Sequence, residues 1–180
     1  MKYLFVALCL FSMTNAVELF YDDGTFGGMS IGLSGVWFHT EDFFPSASTV
    51  QLTGVEMWFY HHSSYPWDTS EFYLEIWSGD DEIFLEDLLY QSVETAVHYS
   101  PILVDVSQEN ITVSSDFWIL ENTELSAGGW PSAILDGSPP IIPHSYGSEG
   151  WIITGDLFFR CFADELSIES ISWGALKTVF

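Results

Sequence analysis

Positive charge is the scarcest thing in this chain. Its 180 residues include three lysines and arginines against 26 aspartates and glutamates. Such a surface repels phosphate backbones and anionic lipids, so nucleic acid is excluded as a partner. Cysteine is rarer still, with only Cys9 and Cys161. Helical periodicity is nearly missing, and no apolar run is long enough to cross a bilayer as a helix, so no membrane span is expected. No G-x-S-x-G elbow occurs, and five scattered histidines do not define a triad. Serine catalysis therefore has no support.

The first sixteen residues, "MKYLFVALCLFSMTNA", combine one basic residue, an apolar run and a small-residue end. That layout predicts a secretory signal peptide cleaved after Ala16. Leu8 before Cys9 is too bulky for a lipoprotein signal, so a lipid anchor is not expected. The remaining 164 residues make one domain, expected to be secreted, periplasmic or on the cell surface. They keep Arg160 and Lys177 against all 26 acids, a formal charge of −24. With Cys161 alone, no intrachain disulfide and no cysteine metal cluster can form. Packing must hold the fold together.

Short runs rich in Val, Ile, Phe, Tyr and Trp alternate with Gly, Pro, Asp and Ser clusters. The pattern predicts an all-β, antiparallel, jelly-roll-like sandwich over 17–163 and a C-terminal tail over 164–180. Strands are expected near 18–21, 29–39, 48–60, 71–78, 88–96, 102–106, 111–120, 132–136 and 156–163. Because side chains alternate between faces, strand phase predicts which of them meet the core. Val50 and Leu52 share one phase and Val55, Met57 and Phe59 the other, so a bulge is expected at Thr53–Gly54. Glu56, Trp58 and Tyr60 then point outward. Phe72, Leu74 and Ile76 point inward, leaving Tyr73, Glu75 and Trp77 outside; Trp118 is outward in 111–120. If strands 55–60 and 71–77 are neighbours, one register pairs Tyr60 with Tyr73, Trp58 with Glu75 and Glu56 with Trp77. Phe59 would then meet Leu74 and Met57 meet Ile76. A single outer wall of Trp, Tyr and Glu would result.

Several pieces taken in order, "YDDGTFGG" at 21–28, "LTGVEMWFY" at 52–60, "FYLEIWSGDD" at 72–81, "DFWIL" at 116–120, "AILDG" at 133–137, "HSY" at 144–146 and "GDLFFR" at 155–160, are similar to a group of poorly characterised β-sandwich modules of secreted bacterial proteins. Those modules open with a DDG turn and close with a strand ending in arginine. The resemblance implies a jelly-roll-like sandwich and an extracellular setting, and brings no catalytic residue. "SWGALK" at 172–177 resembles short tails of exported proteins, which implies a sorting or attachment role.

Candidate chemistry follows from these placements. "HHSSYPWD" at 61–68 puts two consecutive histidines on opposite faces of an extended chain, which one zinc ion cannot easily share. Its Ser, Pro and Asp favour a loop, with Tyr65 and Trp67 at a recognition rim. Asp22 and Asp23, and likewise Asp80 and Asp81, could offer oxygens to a structural Ca²⁺, although an aspartate pair beside glycine is commonest in plain turns. No other cofactor is implied. Arg160 is expected in a structural ion pair with Asp22, Asp23 or Asp136. Trp58, Tyr60, Tyr73, Trp77, Trp118 and Trp67, with Glu56 and Glu75, are the candidate ligand-binding residues, and no catalytic residue is assigned. The expected function is a non-catalytic binding module with glycans as the first ligand class. The alternatives are a structural or adhesive module whose aromatic face is buried on an extracellular protein partner, and a small jelly-roll glycoside hydrolase using a Glu56–Glu75 carboxyl pair.

Overall fold

Runs that alternate apolar and polar residues form half-buried strands, and they account for nearly all regular structure here. The computed structural model describes residues 16–46, 49–79, 85–137, 144–147 and 155–166. Among them are β1 (Val17–Leu19), β2 (Phe26–Ser30), β3 (Ser34–Phe38), α1 (Thr40–Phe43), β4 (Val50–Trp58), β5 (Glu71–Ser78), β6 (Leu88–Thr95), β7 (Pro101–Asp105), β8 (Thr112–Val113), β9 (Phe117–Asn122), β10 (Ala133–Asp136), β11 (Ser145–Tyr146) and β12 (Phe159–Glu165). The first sheet runs β1-β12-β4-β7, with β8 on the far part of β4; the second runs β11-β3-β9-β5-β6; β2 and β10 pair separately. All of these pairings are antiparallel. The architecture is an all-β sandwich, and the chain crosses repeatedly between its sheets.

The inner faces bury Leu52, Val55, Met57, Phe59 and Phe159 from one sheet against Phe38, Phe72, Phe117 and Ile119 from the other, all fully out of water. Phe59 and Phe72 touch across the gap with ring centroids 4.9 Å apart. Each such side chain contributes about 1.5–3 kcal/mol of burial. Cys161 is one more apolar filler: burial pushes its thiol up, so it packs rather than reacts.

The expected bulge in β4 is present. Phe162 pairs with Gly54 and Ala163 with Leu52, leaving Thr53 as the extra residue. Its hydroxyl donates to the Phe162 carbonyl at 3.1 Å. The slip lets Val50, Leu52, Val55, Met57 and Phe59 all face inward. Two expected strands are instead broken. The 29–39 run divides into β2 and β3 around Gly32, whose φ of +87° suits glycine, and 111–120 divides into β8 and β9 at residues 114–116. β12 runs past the expected domain end to Glu165.

The proposed β4–β5 neighbourhood is wrong. β4 lies between β12 and β7, where Met57 pairs with Phe159 and Ile102; β5 lies between β9 and β6, where Ile76 pairs with Ile119 and Tyr90. Inward and outward parity was sound for both strands, but parity does not say which strand is adjacent. The connection from Phe59 to Ser70 is long enough to carry the chain to the opposite sheet. Glu56 and Trp58 thus stand on one exterior, and Tyr73, Glu75 and Trp77 on the other.

One inward residue breaks the apolar rule. Glu121 of β9 is fully buried between Ser34 and Leu74, and neither carboxyl oxygen has a hydrogen-bond partner among the described residues. Desolvation holds its pKa well above the ordinary carboxyl range. A raised folded pKa means that this group's favourable contribution is complete below the unfolded value, near 4.5, and is lost as pH rises toward the folded one. Asp156, pushed up to about 6 mainly by burial, acts in the same direction between about pH 4 and 6. His144, lowered chiefly by burial, acts oppositely below about pH 6.5, where the unfolded chain takes up the proton first. Glu121→Leu is expected to raise unfolding stability at pH 7 by about 1–3 kcal/mol and to flatten its fall between pH 5 and 7 in urea denaturation. A loss of stability would show that the carboxyl is satisfied in solution.

Candidate functional site

The outer face of the second sheet brings three tryptophans together. Antiparallel register aligns Trp37 of β3, Trp118 of β9 and Trp77 of β5 in one row across three adjacent strands. Trp37 and Trp118 lie nearly parallel at 5.9 Å, and Tyr146 meets Trp118 edge-on at 5.1 Å. Trp118 is only 4% exposed, whereas Trp37 and Trp77 are partly exposed. The two flanking indoles are fixed by their N–H groups: Trp37 donates to the Gly79 carbonyl at 3.2 Å and Trp77 to Glu75 at 2.8 Å. The Trp118 N–H has no acceptor among the described residues.

The next row holds Leu120, Glu75 and Gln91. Gly35 leaves that space to Leu120, whose Cδ2 a Cβ there would overlap. Glu75 accepts from the Trp77 indole, the Gln91 amide at 2.8 Å and the Asn122 amide at 2.9 Å. A nearly buried carboxylate with three donors is rigid and satisfied. Tyr73 follows it along the strand. At the opposite end, His39 Nδ1 bonds Asp116 at 2.7 Å and its ring lies 4.2 Å from that of Trp37. On this face Trp118, Leu120 and Glu75 are nearly buried, and Trp37, Trp77, Tyr73, Gln91 and Asn122 beside them are the more exposed side chains.

Trp37 and the His39–Asp116 pair were not among the sequence candidates. Their signal was parity: His39 is two residues beyond Trp37, Asp116 two before Trp118, and antiparallel pairing of β3 with β9 brings the four together. The glycosidase pairing of Glu56 with Glu75 does not survive, because those carboxyls sit on opposite sheets.

On the first sheet's exterior, Trp58 donates to Glu56 at 2.8 Å. Beside them Arg160 grips Asp22 with two bonds of 3.0 and 2.8 Å, reaches Glu18 at 3.1 Å and lies 5.2 Å from the Phe20 ring centroid. The expected ion pair is present, with Asp22 as the partner. Asp22 and Asp23 also build the DDG turn: Asp22 accepts the Gly24 N–H, and Asp23 accepts the Thr25 N–H and hydroxyl. Nearby, Asp136 caps the Asp23 and Asp156 amides. No set of three or more histidine, cysteine or acidic side chains is arranged to hold a metal ion among the described residues. Asp80 and Asp81 lie outside the described residues.

The 61–68 stretch is a loop braced by hydrogen bonds to its histidine rings. His98 Nδ1 accepts the His61 N–H, His61 Nε2 accepts that of Trp67, and His62 Nδ1 accepts that of Ser64. Each accepting nitrogen is the unprotonated one. Trp67 donates to Ser132 Oγ at 3.3 Å and stacks on His61, while Tyr60 joins Phe26, His98 and Tyr99 in a partly exposed cluster. The candidate ligand-binding residues therefore fall in three places: Tyr73, Glu75, Trp77 and Trp118 together, Glu56 and Trp58 on the other sheet, and Tyr60 and Trp67 at the loop.

Comparison of the chain with protein-family models, with curated proteins and with solved structures finds no match.

Arg160→Ala strands a fully buried Asp22 carboxylate and is expected to cost about 3 kcal/mol in urea unfolding, most of it recovered in the Arg160→Met, Asp22→Leu double variant. A loss below about 0.5 kcal/mol would place the pair with ordinary surface bridges.

Proposed function

We propose that this protein is an exported, non-catalytic binding module whose ligands are glycans. The observation that supports the reading is the Trp37–Trp118–Trp77 row, bordered by a polar cluster centred on Glu75. Sugar rings present apolar C–H faces and polar edges, so they suit aromatic surfaces flanked by fixed hydrogen-bonding groups. Trp37 and Trp77 are held before any ligand arrives, which limits the ordering entropy lost on binding. Gln91 and Asn122 keep further hydrogen-bonding capacity beyond the amide proton each gives to Glu75. The acid excess favours neutral or cationic ligands over sulfated or carboxylated ones.

The test is a screen of neutral and charged oligosaccharides by calorimetry. Trp37→Ala and Trp77→Ala are each expected to weaken the best ligand at least tenfold, about 1.4 kcal/mol, and Trp58→Ala to leave it unchanged. Equal losses in all three variants, or binding of nothing in the screen, would overturn the proposal. A concentration-dependent rise in mass abolished by Trp77→Ala would replace it with protein association through this face.

A further inference from the structure

A hollow of about 550 Å³ opens where the loop after β4 meets the start of β5 and the end of β6, lined by His61, Trp67, Asp68, Ser70, Glu71 and Thr95 among others. It is a shallow depression, widely open to solvent, rather than an enclosed cavity. Its wall is built before any ligand binds. Trp67 is pinned through Ser132, and the His61 ring lies against it at 4.9 Å. Asp68 accepts from the Ser126 hydroxyl at 2.6 Å and from the Ala127 and Gly128 amides at 2.9 and 3.3 Å. The Ser126 bond, with those amides, holds the Asp68 carboxyl below its ordinary range, so it stays anionic. The one fixed cation among the described residues, Arg160, is engaged with Asp22 on the other sheet. His61 Nε2 accepts the Trp67 amide at 3.3 Å. The hollow therefore combines two carboxylates, several hydroxyls and an aromatic wall.

Its position ties it to the indole row. Glu71, Tyr73, Glu75 and Trp77 share one parity on β5, so Glu71 ends the same outward column that begins at Trp77, about 20 Å away at strand rise. We infer that the hollow takes a protonated amino group carried by the same glycan that lies on the Trp row, so that the preferred ligand is an amino sugar oligomer. Ammonium against carboxylate supplies charge complementarity, and the Trp67–His61 wall accepts the attached C–H surface. This rests on the glycan reading and adds the chemical class of the sugar.

The experiment titrates the full mature chain with a glucosamine tetramer, its fully N-acetylated counterpart and monomeric glucosamine. The free-amine tetramer is expected to bind at least tenfold more tightly than the acetylated one. That preference should disappear in Glu71→Gln and shrink in high salt, while Trp77→Ala weakens both tetramers. Glu109→Gln, on an exposed turn elsewhere, controls for general attraction to an acidic protein. Equal affinity for the two tetramers, with Trp77 dependence, would overturn the amine site and leave the glycan reading standing. A preference reduced equally by Glu71→Gln and Glu109→Gln would also overturn it. Binding of monomer and tetramer alike, dependent on Glu71 and indifferent to Trp77, would keep an amine site and overturn the glycan platform. Failure of all three sugars to bind would overturn both.

Discussion

Mutual burial of two sheet faces carries this molecule. With Cys161 buried as a free thiol and a formal charge of −23 working against compactness, the chain depends on apolar contacts such as Phe59 against Phe72. Committing every second residue of the central strands to that core leaves the alternate residues free for other work. The chemistry on each exterior is what remains once the interior has been served.

The two exteriors use that freedom differently. Each carries a glutamate and a tryptophan two residues apart, joined by an indole-to-carboxylate bond: Glu56 with Trp58, and Glu75 with Trp77. On the first sheet this pair adjoins Arg160, whose guanidinium ties β12 to Asp22 and Glu18, so that surface is spent on internal cohesion. On the second sheet no lysine or arginine intervenes among the described residues. Three neighbouring strands instead bring indoles into register, and Glu75 organises amides from β6 and β9 around them. Among the described residues, the Trp118 N–H and the Glu121 carboxyl on the same strand have no hydrogen-bond partner, nor does His144 Nδ1 beside β11.

Face assignment was legible from the sequence because it needs only period-two alternation. It placed Val55, Met57, Phe59, Phe72, Leu74 and Ile76 inside, and even the Thr53 bulge followed from a phase flip. Adjacency was not legible, because nothing in residues 59–70 states whether the chain turns back or crosses over. That one ambiguity moved Trp58 away from Trp77 and hid Trp37, whose partner Trp118 lies 81 positions further along the chain. Arg160 was readable by elimination, since an arginine in a half-buried strand must find a carboxylate. Glu121 was not, because a buried carboxyl with no partner among the described residues contradicts the rule that inward positions are apolar.

The most direct measurement follows the indole N–H resonances of the ¹⁵N-labelled protein as a bound oligosaccharide is titrated in. Shifts confined to Trp37, Trp77 and Trp118, with Trp58 silent, are the expected result. Shifts at Trp58 equal to those at Trp77, or none at the Trp37–Trp118–Trp77 row, would contradict recognition on the exterior of the second sheet.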